Sequence, residues 1–574
     1  VSEMVDGEYQ ACCARGGAYM REHLFGKHPE LLSLVADMSD EELTCLTDGG
    51  HDPQKIYAAY TEALTDCGKP TVILAKTVKG YGYGKYGEAQ NIAHNLEGIS
   101  DEGLKSFRDR FKLPLSDEQV TALEFYKPAE DSPEIQYLRE QRQKLGGPLP
   151  ARDTRCDSLK IPDLAAFDAI LKGTGEREVS TGAMYSRIMM TLLKDKNIKD
   201  RIVPIVADEA RTLGLEGFFR QTGIYAVEGQ KYTPEDSEKL VYYREEKAGQ
   251  VLQQGISEAG AIASWTAAAT AYADHHVAMI PFYAYYAMFG YQRVGDFVWA
   301  AADMQARGFI MGGLAGRTTL AGEGLQHQDC HNLLMFSVVP TCRSYDPAFG
   351  YEMAVIIQDG LRRMYKDQEN VFYYITMMNE IYQHPAMPVG VEEGIVKGMY
   401  LFKAGNDKLQ KRVQLLGAGA ILREVIAAAD ILEKEYKVAA DIWSVPSFNL
   451  LRHDIESTDR FNRLHPSEKP KQSYVAGCLA DQTGPVIAAT DYMKLLANQI
   501  REAVKQPYYV LGTDGFGRSD SRRNLRDFFE VDAKMIVYTA LKALMDQGDY
   551  AKDDLLRAMA TLNIDSNRPD PWTV

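Results

Sequence analysis

The sequence predicts an α/β fold of parallel sheets flanked by helices, and three observations carry that expectation. Short apolar runs of strand length recur along the chain, among them 202–207, 371–376 and 486–489. Segments with apolar residues at helical spacing lie between such runs, as at 183–194 and 422–436. Several runs empty into glycine turns, as at Lys79-Gly80-Tyr81-Gly82 and Gly417-Ala418-Gly419. Strands that alternate with helices pair in parallel, and sheets of that kind hold ligands beyond the carboxyl ends of their strands.

In chain order, the first well-marked element is a helix. Asp52 suits its N-cap, Pro53 its first turn and Gly68 its stop, while Ile56, Tyr60 and Leu64 share one face. Residues 70–75 then read as a buried strand that leads into a flexible glycine loop at 79–84. A stretch rich in Pro, Gly and charge, 127–162, marks a boundary. Beyond it, 202–207, 277–282, 309–311, 337–340 and 371–376 are candidate strands, with helical patterns at 183–194 and 249–273. Pro385, Pro388, Glu380, Glu392 and Glu393 mark a second boundary within 379–394. The last block carries strand-like runs at 413–416, 440–445, 486–489 and 508–511, and an amphipathic helix at 422–436.

Composition narrows the function. At about 150 residues per domain, 574 residues make three or four domains. Hydrophobic residues at 45% and charged residues at 25% match a globular chain and exclude wholesale disorder. The balance of 64 Lys+Arg against 80 Asp+Glu gives −16 and argues against nucleic acid as main partner, because phosphate contacts need clustered cations. No apolar run is long enough to span a bilayer; the best, 259–273 and 277–291, are interrupted by Asp274, His275 and His276. The eight cysteines lack Cys-x-x-Cys spacing and are sparse for a disulfide scaffold, and no signal peptide is visible, so a cytoplasmic location is expected.

Several residues suit chemistry, each beside a plainer reading. Asp208 and Glu209 follow the run 202–207, where a carboxylate pair can move protons or orient a ligand, or can simply cap a helix. Glu258 sits among Gly255, Ala259, Gly260 and Ala261; a carboxyl in such surroundings would be desolvated, which favours its protonated form, or it is an exposed charge at a helix start. Tyr286 and Phe289 follow the run 277–282 and could stack on a planar ring or pack in a core. The loop 322–331 joins glycine freedom to His327 and His331, the residue type suited to proton transfer. His94, with Lys79 upstream, suits a mobile active-site loop or a solvent-facing linker. Gly417 and Gly419 are an incomplete dinucleotide fingerprint, since Leu422 stands at the third glycine, and a tight strand-to-helix turn explains them better.

Longer strings carry a resemblance. Thr77-Val78-Lys79-Gly80-Tyr81-Gly82 with Asn91-Ile92-Ala93-His94, then Ala207-Asp208-Glu209-Ala210-Arg211-Thr212, Gly322-Glu323-Gly324-Leu325-Gln326-His327 and Gly512-Thr513-Asp514-Gly515-Phe516-Gly517-Arg518-Ser519-Asp520 occur in order. Together they resemble the homodimeric bacterial pyruvate dehydrogenase decarboxylating component, a thiamine-diphosphate enzyme of the transketolase-like superfamily. The resemblance implies a thiamine-diphosphate-binding fold with a transketolase-like C-terminal α/β domain. Residues 1–157 would be the end of the diphosphate-binding domain, 158–390 the pyrimidine-binding domain and 391–574 the C-terminal domain.

It also implies roles. Glu258 would hydrogen-bond the pyrimidine ring nitrogen and favour its imino tautomer, Phe289 would stack on that ring, and Tyr286 would lie beside it. Asp208, Glu209 and His327 would lie near the reacting carbon, with Asp208 also touching cofactor. His94 and Lys79 would belong to a loop that passes the acyl group to a lipoyl arm. The implied activity is thiamine-dependent oxidative decarboxylation of pyruvate and acetylation of the lipoyl group of the dihydrolipoamide acetyltransferase component, by a homodimer with magnesium. Other 2-oxo acid dehydrogenases, transketolase-type ketol transfer, and a non-catalytic fragment that only dimerises or docks are the alternatives.

Two departures accompany the resemblance. Asn95-Leu96-Glu97-Gly98 follows His94 where the family tends to be basic. The family's Gly-Asp-Gly magnesium and diphosphate motif is absent from the 574 residues. Its hard oxygen ligands are expected in an N-terminal part, and the chain is expected to be a C-terminal fragment or one half of a split enzyme.

Overall fold

The computed structural model describes residues 3–46, 49–65, 67–147, 155–207, 215–235 and 243–574, in two compact units, 1–151 and 152–574. Among the described residues of the first unit no strand forms. Its helix α1, Pro53–Ala63, starts as the sequence predicts: the Asp52 carboxylate accepts the N–H groups of Gln54 and Lys55. The run 70–75 is extended but unpaired, with Val72 81% and Leu74 92% exposed, so the expected buried strand is corrected. An extended segment becomes a strand only when a neighbour takes its hydrogen bonds, and among the described residues of this unit none does.

The glycine loop after it is a fixed turn. Gly80, Gly82 and Gly84 have φ of 73°, 96° and 52°, in the left-handed region. A Cβ on Gly82 would come within 2.6 Å of Phe111, so the site admits no side chain. Glu88 accepts the N–H groups of Gly82 and Gly84 at 3.1 and 3.0 Å and pairs with Arg110. His51 stacks on Tyr81 at 3.9 Å and accepts the Val78 N–H at 2.7 Å.

In the second unit, six strands form a parallel sheet among the described residues. They are β1 (Ile202–Val206), β2 (Leu252–Gln253), β3 (Ile280–Tyr286), β4 (Phe309–Gly313), β5 (Cys342–Tyr345) and β6 (Phe372–Thr376), in the order β2-β1-β3-β4-β6-β5. Helices α2 (Thr181–Leu192), α3 (Glu258–Asp274), α4 (Tyr291–Asp303) and α5 (Gly350–Leu361) accompany it. All seven residues of β3 are buried, and Phe282 stacks on Phe309 of β4 at 4.4 Å. That continuous burial is what a two-sided parallel sheet demands of its central strands.

Three expectations shift here. The strand expected at 277–282 begins at Ile280, because the buried aromatic run continues to Tyr286. The strand expected at 337–340 is a turn, where the Ser337 hydroxyl donates back to the Leu334 carbonyl at 2.6 Å, Pro340 has no N–H to give, and β5 begins at Cys342. The helix expected from 249 begins at Glu258, where the Ser257 hydroxyl accepts the Gly260 N–H. Before it, Gly255 takes a φ of 72° and Leu252–Gln253 pair with β1.

The second sheet contains β7 (Tyr400–Lys403), β8 (Lys411–Gly417), β9 (Val438–Ser444), β10 (Val486–Ala489) and β11 (Tyr508–Leu511), in the order β7-β9-β8-β10-β11. Only β7 runs antiparallel to its neighbour. Helix α6 (Leu422–Glu435) buries Leu422, Val425, Ala428, Ala429 and Leu432, the spacing of one helical face.

Buried polar groups join the two sheets. Asp491 accepts the N–H and hydroxyl of Thr318 at 2.9 and 2.7 Å and those of Thr319 at 3.1 and 2.6 Å. The buried Arg526 pairs with Glu380 and Glu424. Glu352 accepts the Tyr400 and Ser444 hydroxyls, each at 2.6 Å. Each carboxylate is satisfied by donors from distant segments, and this offsets the cost of burying it. Among the described residues no helix is long and apolar enough to cross a membrane.

Candidate functional site

Three segments of the second unit converge at the carboxyl ends of β3 and β4. Strand β3 delivers Tyr286 at its last position, and the single turn after it, Ala287–Phe289, delivers Phe289 before α4 begins. The loop after β4 delivers His327 from the turn Leu325–His327. The first residue of α3 is Glu258. The His327 ring stands edge-on to Tyr286 and to Phe289, each with centroids 5.0 Å apart, and Tyr286 lies 5.8 Å from Phe289.

The surrounding residues fix this cluster. Gln328 is fully buried; its amide donates to the carbonyls of Leu320 and Arg518 and accepts the Arg518 N–H. It thereby ties the histidine loop to the glycine-rich segment 512–520. Asp329, also fully buried, accepts the N–H groups of His331 and Asn332 and the Asn332 side-chain amide. His327 Nδ1 is buried without a hydrogen-bond partner among the described residues. A buried ring nitrogen left over in a protein is costly unless something else engages it.

Glu258 meets an environment different from the one its neighbours in sequence suggest. Its side chain is 15% exposed, and Arg293 of α4 donates to its Oε1 at 2.8 Å. The same guanidinium lies 4.2 Å from the centre of the Phe289 ring. The expected apolar shell is therefore corrected: a cation from the neighbouring helix faces the carboxylate. Arg293 was not legible as a site residue, although its place four positions beyond Phe289 puts the two within reach on consecutive turns.

Two aromatic rings beside a buried imidazole nitrogen, with a carboxylate reached through Arg293, suit a flat, nitrogen-bearing ring. Aromatic faces take its planes, and Glu258 and His327 take its polar edge or a substrate beside it. The pyrimidine of thiamine diphosphate fits that donor set. Among the described residues no group of three or more His, Cys, Asp or Glu side chains is placed to hold a metal ion.

Lys79 and His94 meet within the first unit. Lys79 Nζ lies 2.6 Å from His94 Nδ1, so Nδ1 accepts and the ring proton sits on Nε2. Both line a cleft of about 530 Å³ with Tyr9, Cys13, Lys76 and Asn91. Asp208 and Glu209 lie outside the described residues.

Sequence reasoning also missed a set of buried acids between the sheets. Burial pushes the Asp346 carboxyl up to about 7; a hydrogen bond from the Thr376 hydroxyl opposes this and Asp491 and Glu352 add to it. Burial likewise opposes ionisation of Glu380, but the Arg526 hydrogen bond and the nearby Arg526, Arg423 and Arg522 charges outweigh it and hold that carboxyl below its ordinary range. His384 is pushed down to about 4, chiefly by burial.

Comparison with known proteins places the chain among relatives. Residues 159–385 match the family model of the pyruvate dehydrogenase E1 component middle domain, and 398–532 that of the transketolase-like C-terminal domain. The chain is 55% identical over 574 residues to the pyruvate dehydrogenase E1 component of Cupriavidus necator, covering all of this chain and 64% of that protein. It is 54% identical over 572 residues to that of Pseudomonas aeruginosa, covering 65% of it, and 52% identical to that of Escherichia coli K12, covering 64%. The chain thus spans about 64% of the length of such relatives. Among solved structures, transketolase from Campylobacter jejuni superposes with a TM-score of 0.58 at 18% identity, over 86% of this chain and 66% of that one. Transketolase from Leishmania mexicana superposes at 0.56 and 16%, over 86% and 65%. These two likenesses establish the transketolase-like α/β fold.

Proposed function

We propose, from the premise that this chain belongs to the pyruvate dehydrogenase E1 family, that it serves the oxidative decarboxylation of pyruvate with thiamine diphosphate and the acetylation of a lipoyl group. The observation that carries this reading is the meeting of Phe289, Tyr286 and His327, with Glu258 linked to Phe289 through Arg293, which touches both. In it, 158–390 is the pyrimidine-binding domain, 391–574 the C-terminal domain and 1–157 the end of the diphosphate-binding domain.

When bound, the cofactor supplies an electron sink that accepts the pair left as carbon dioxide departs. The chain's own residues do the rest. Phe289 and Tyr286 offer apolar surface that orients a ring and excludes water from it. Glu258, at the first turn of α3, would hold or return a proton at a ring nitrogen of the cofactor. His327, whose Nδ1 is buried and unpartnered among the described residues, is assigned to proton exchange near the reacting carbon. A well-placed acid or base of this kind is worth about 10²–10⁴ in rate. Lys79 and His94, joined at 2.6 Å in their own unit, are assigned to acyl transfer. Asp208 and Glu209 are assigned to the reacting carbon by resemblance alone. Magnesium would accompany the diphosphate, and no residue of this chain is assigned to it.

The proposed assembly is a homodimer working with dihydrolipoamide acetyltransferase. Phe297 and Trp299 on α4 are exposed aromatic residues of the kind a subunit contact would cover. A cytoplasmic location agrees with eight unpaired cysteines. Product analysis tests the function: carbon dioxide and acetyl-lipoamide from pyruvate support it, and ketol transfer between sugars overturns it.

A further inference from the structure

Gln328 stands where the histidine loop enters the core. None of residues 321–327 is buried, whereas Gln328, Asp329 and Cys330 all are. A primary amide offers an acceptor oxygen and two N–H donors. Gln328 Oε1 accepts the Arg518 N–H at 2.8 Å, and its Nε2 donates to the Arg518 carbonyl at 2.7 Å and to the Leu320 carbonyl at 2.9 Å. Two of these bonds grip the backbone of one residue in the segment after β11, 190 positions away, and the third closes the base of the loop. The two segments touch closely: a Cβ on Gly517 would stand 2.6 Å from Gln328 Oε1, and one on Gly324 would stand 2.8 Å from Ser519 Oγ.

We propose that Gln328 is a positioning residue for His327, and that through it the transketolase-like C-terminal domain sets the place of the imidazole. The inference rests on the role given to His327 above. That domain, matched over 398–532, supplies none of Glu258, Tyr286, Phe289 and His327, but it does supply the Arg518 backbone. His327 is bonded directly to Gln328, so a shift of the amide passes along the chain to the ring. Upstream, Gly324 takes a φ of 82° and lets the loop follow such a shift. At the imidazole itself the contacts are edge-on rings at 5.0 Å, which lack the direction of three hydrogen bonds. Misplacing a proton-transferring group by about 1 Å costs about 10² in rate. Ring and substrate contacts elsewhere are left as they are, so the loss falls on kcat rather than on KM.

The test uses the complete enzyme with Q328M, G517A and H327A, and with Q328M and G517A each combined with H327A. Circular dichroism checks the fold of each. Q328M keeps the length of the side chain and removes its bonds. G517A pushes on the same amide from the C-terminal domain, at a position whose φ is not left-handed, and it decides alone if Q328M does not fold. Each is expected to lower kcat for acetyl transfer from pyruvate by about 10–10², with KM for pyruvate within about twofold of the parent. In the H327A background the same changes are expected to alter kcat by less than about twofold, because the ring whose place they set is gone. An unchanged kcat in G517A and folded Q328M, or equal losses with and without His327, overturns the positioning role alone. Parent activity in H327A overturns the reading of His327 and the inference together.

Discussion

Residues 70–75 and strand β10 share one sequence pattern and meet opposite fates. Both are short apolar runs of strand length bounded by turn residues. In the second unit, Val486–Ala489 is wholly buried and paired on both sides, with β8 and with β11. In the first, 70–75 is unpaired and exposes Val72 and Leu74. The difference teaches that an apolar pattern states what a segment could bury, while its neighbours decide whether it does. The same holds for Glu258, whose sequence neighbours are small and apolar while its neighbour in space is Arg293.

The comparison between the two units can be broken or sharpened by substitution. The largest effect belongs to the chemistry of the second unit. Glu258→Gln keeps the shape of the side chain, and in the complete enzyme it is expected to lower acetyl transfer from pyruvate by at least about 10²–10⁴ with an unchanged circular dichroism spectrum. Activity within a few-fold of the parent would remove Glu258 from the mechanism. Next comes Ile487→Ala in β10, expected to cost about 2–5 kcal/mol in urea unfolding, because a fully buried side chain leaves a cavity.

A smaller effect separates buried acid from buried base. Asp346 has its folded value raised to about 7. The folded state therefore binds a proton more tightly than the unfolded state, and this stability is full below the ordinary carboxyl range and lost as pH rises towards 7. His384 is lowered to about 4, so its contribution runs the other way, and stability falls as pH drops from about 6.5 towards 4. Asp346→Asn is expected to stabilise the chain at pH 8 relative to pH 5, by about 1–3 kcal/mol, read as a shift in Tm against the parent at each pH. Equal shifts at both pH values would place the charge elsewhere. The smallest effect is expected in the first unit: Leu74→Ala should change stability by no more than about 0.5 kcal/mol, since its side chain is already in water. A loss comparable to that of Ile487→Ala would mean that 70–75 is buried after all.

These contrasts also measure what could be read from sequence. Strands at 486–489 and 508–511 were legible to the residue, because each is a compact apolar run ended by turn chemistry. The helix at α1 was legible from Asp52 and Pro53, and α6 from its spacing. The aromatic cluster was legible too: Tyr286, Phe289 and His327 do meet. What stayed hidden depends on distant partners. Thr318 and Asp491 lie 173 positions apart, and no local pattern announces their bond. Residues 337–340 misled because their apolar content suits a strand, whereas Ser337 and Pro340 end a helix and make a turn. Arg293 was hidden because its pairing with Glu258 crosses from one helix to the next.

The most direct test of the central claim is a crystal structure of the complete enzyme grown with thiamine diphosphate and magnesium. The account predicts the pyrimidine ring against Phe289, with a ring nitrogen within hydrogen-bond distance of Glu258 and His327 facing the thiazolium side. A cofactor bound with its pyrimidine away from Phe289, and Glu258 making no contact with it, would contradict the account.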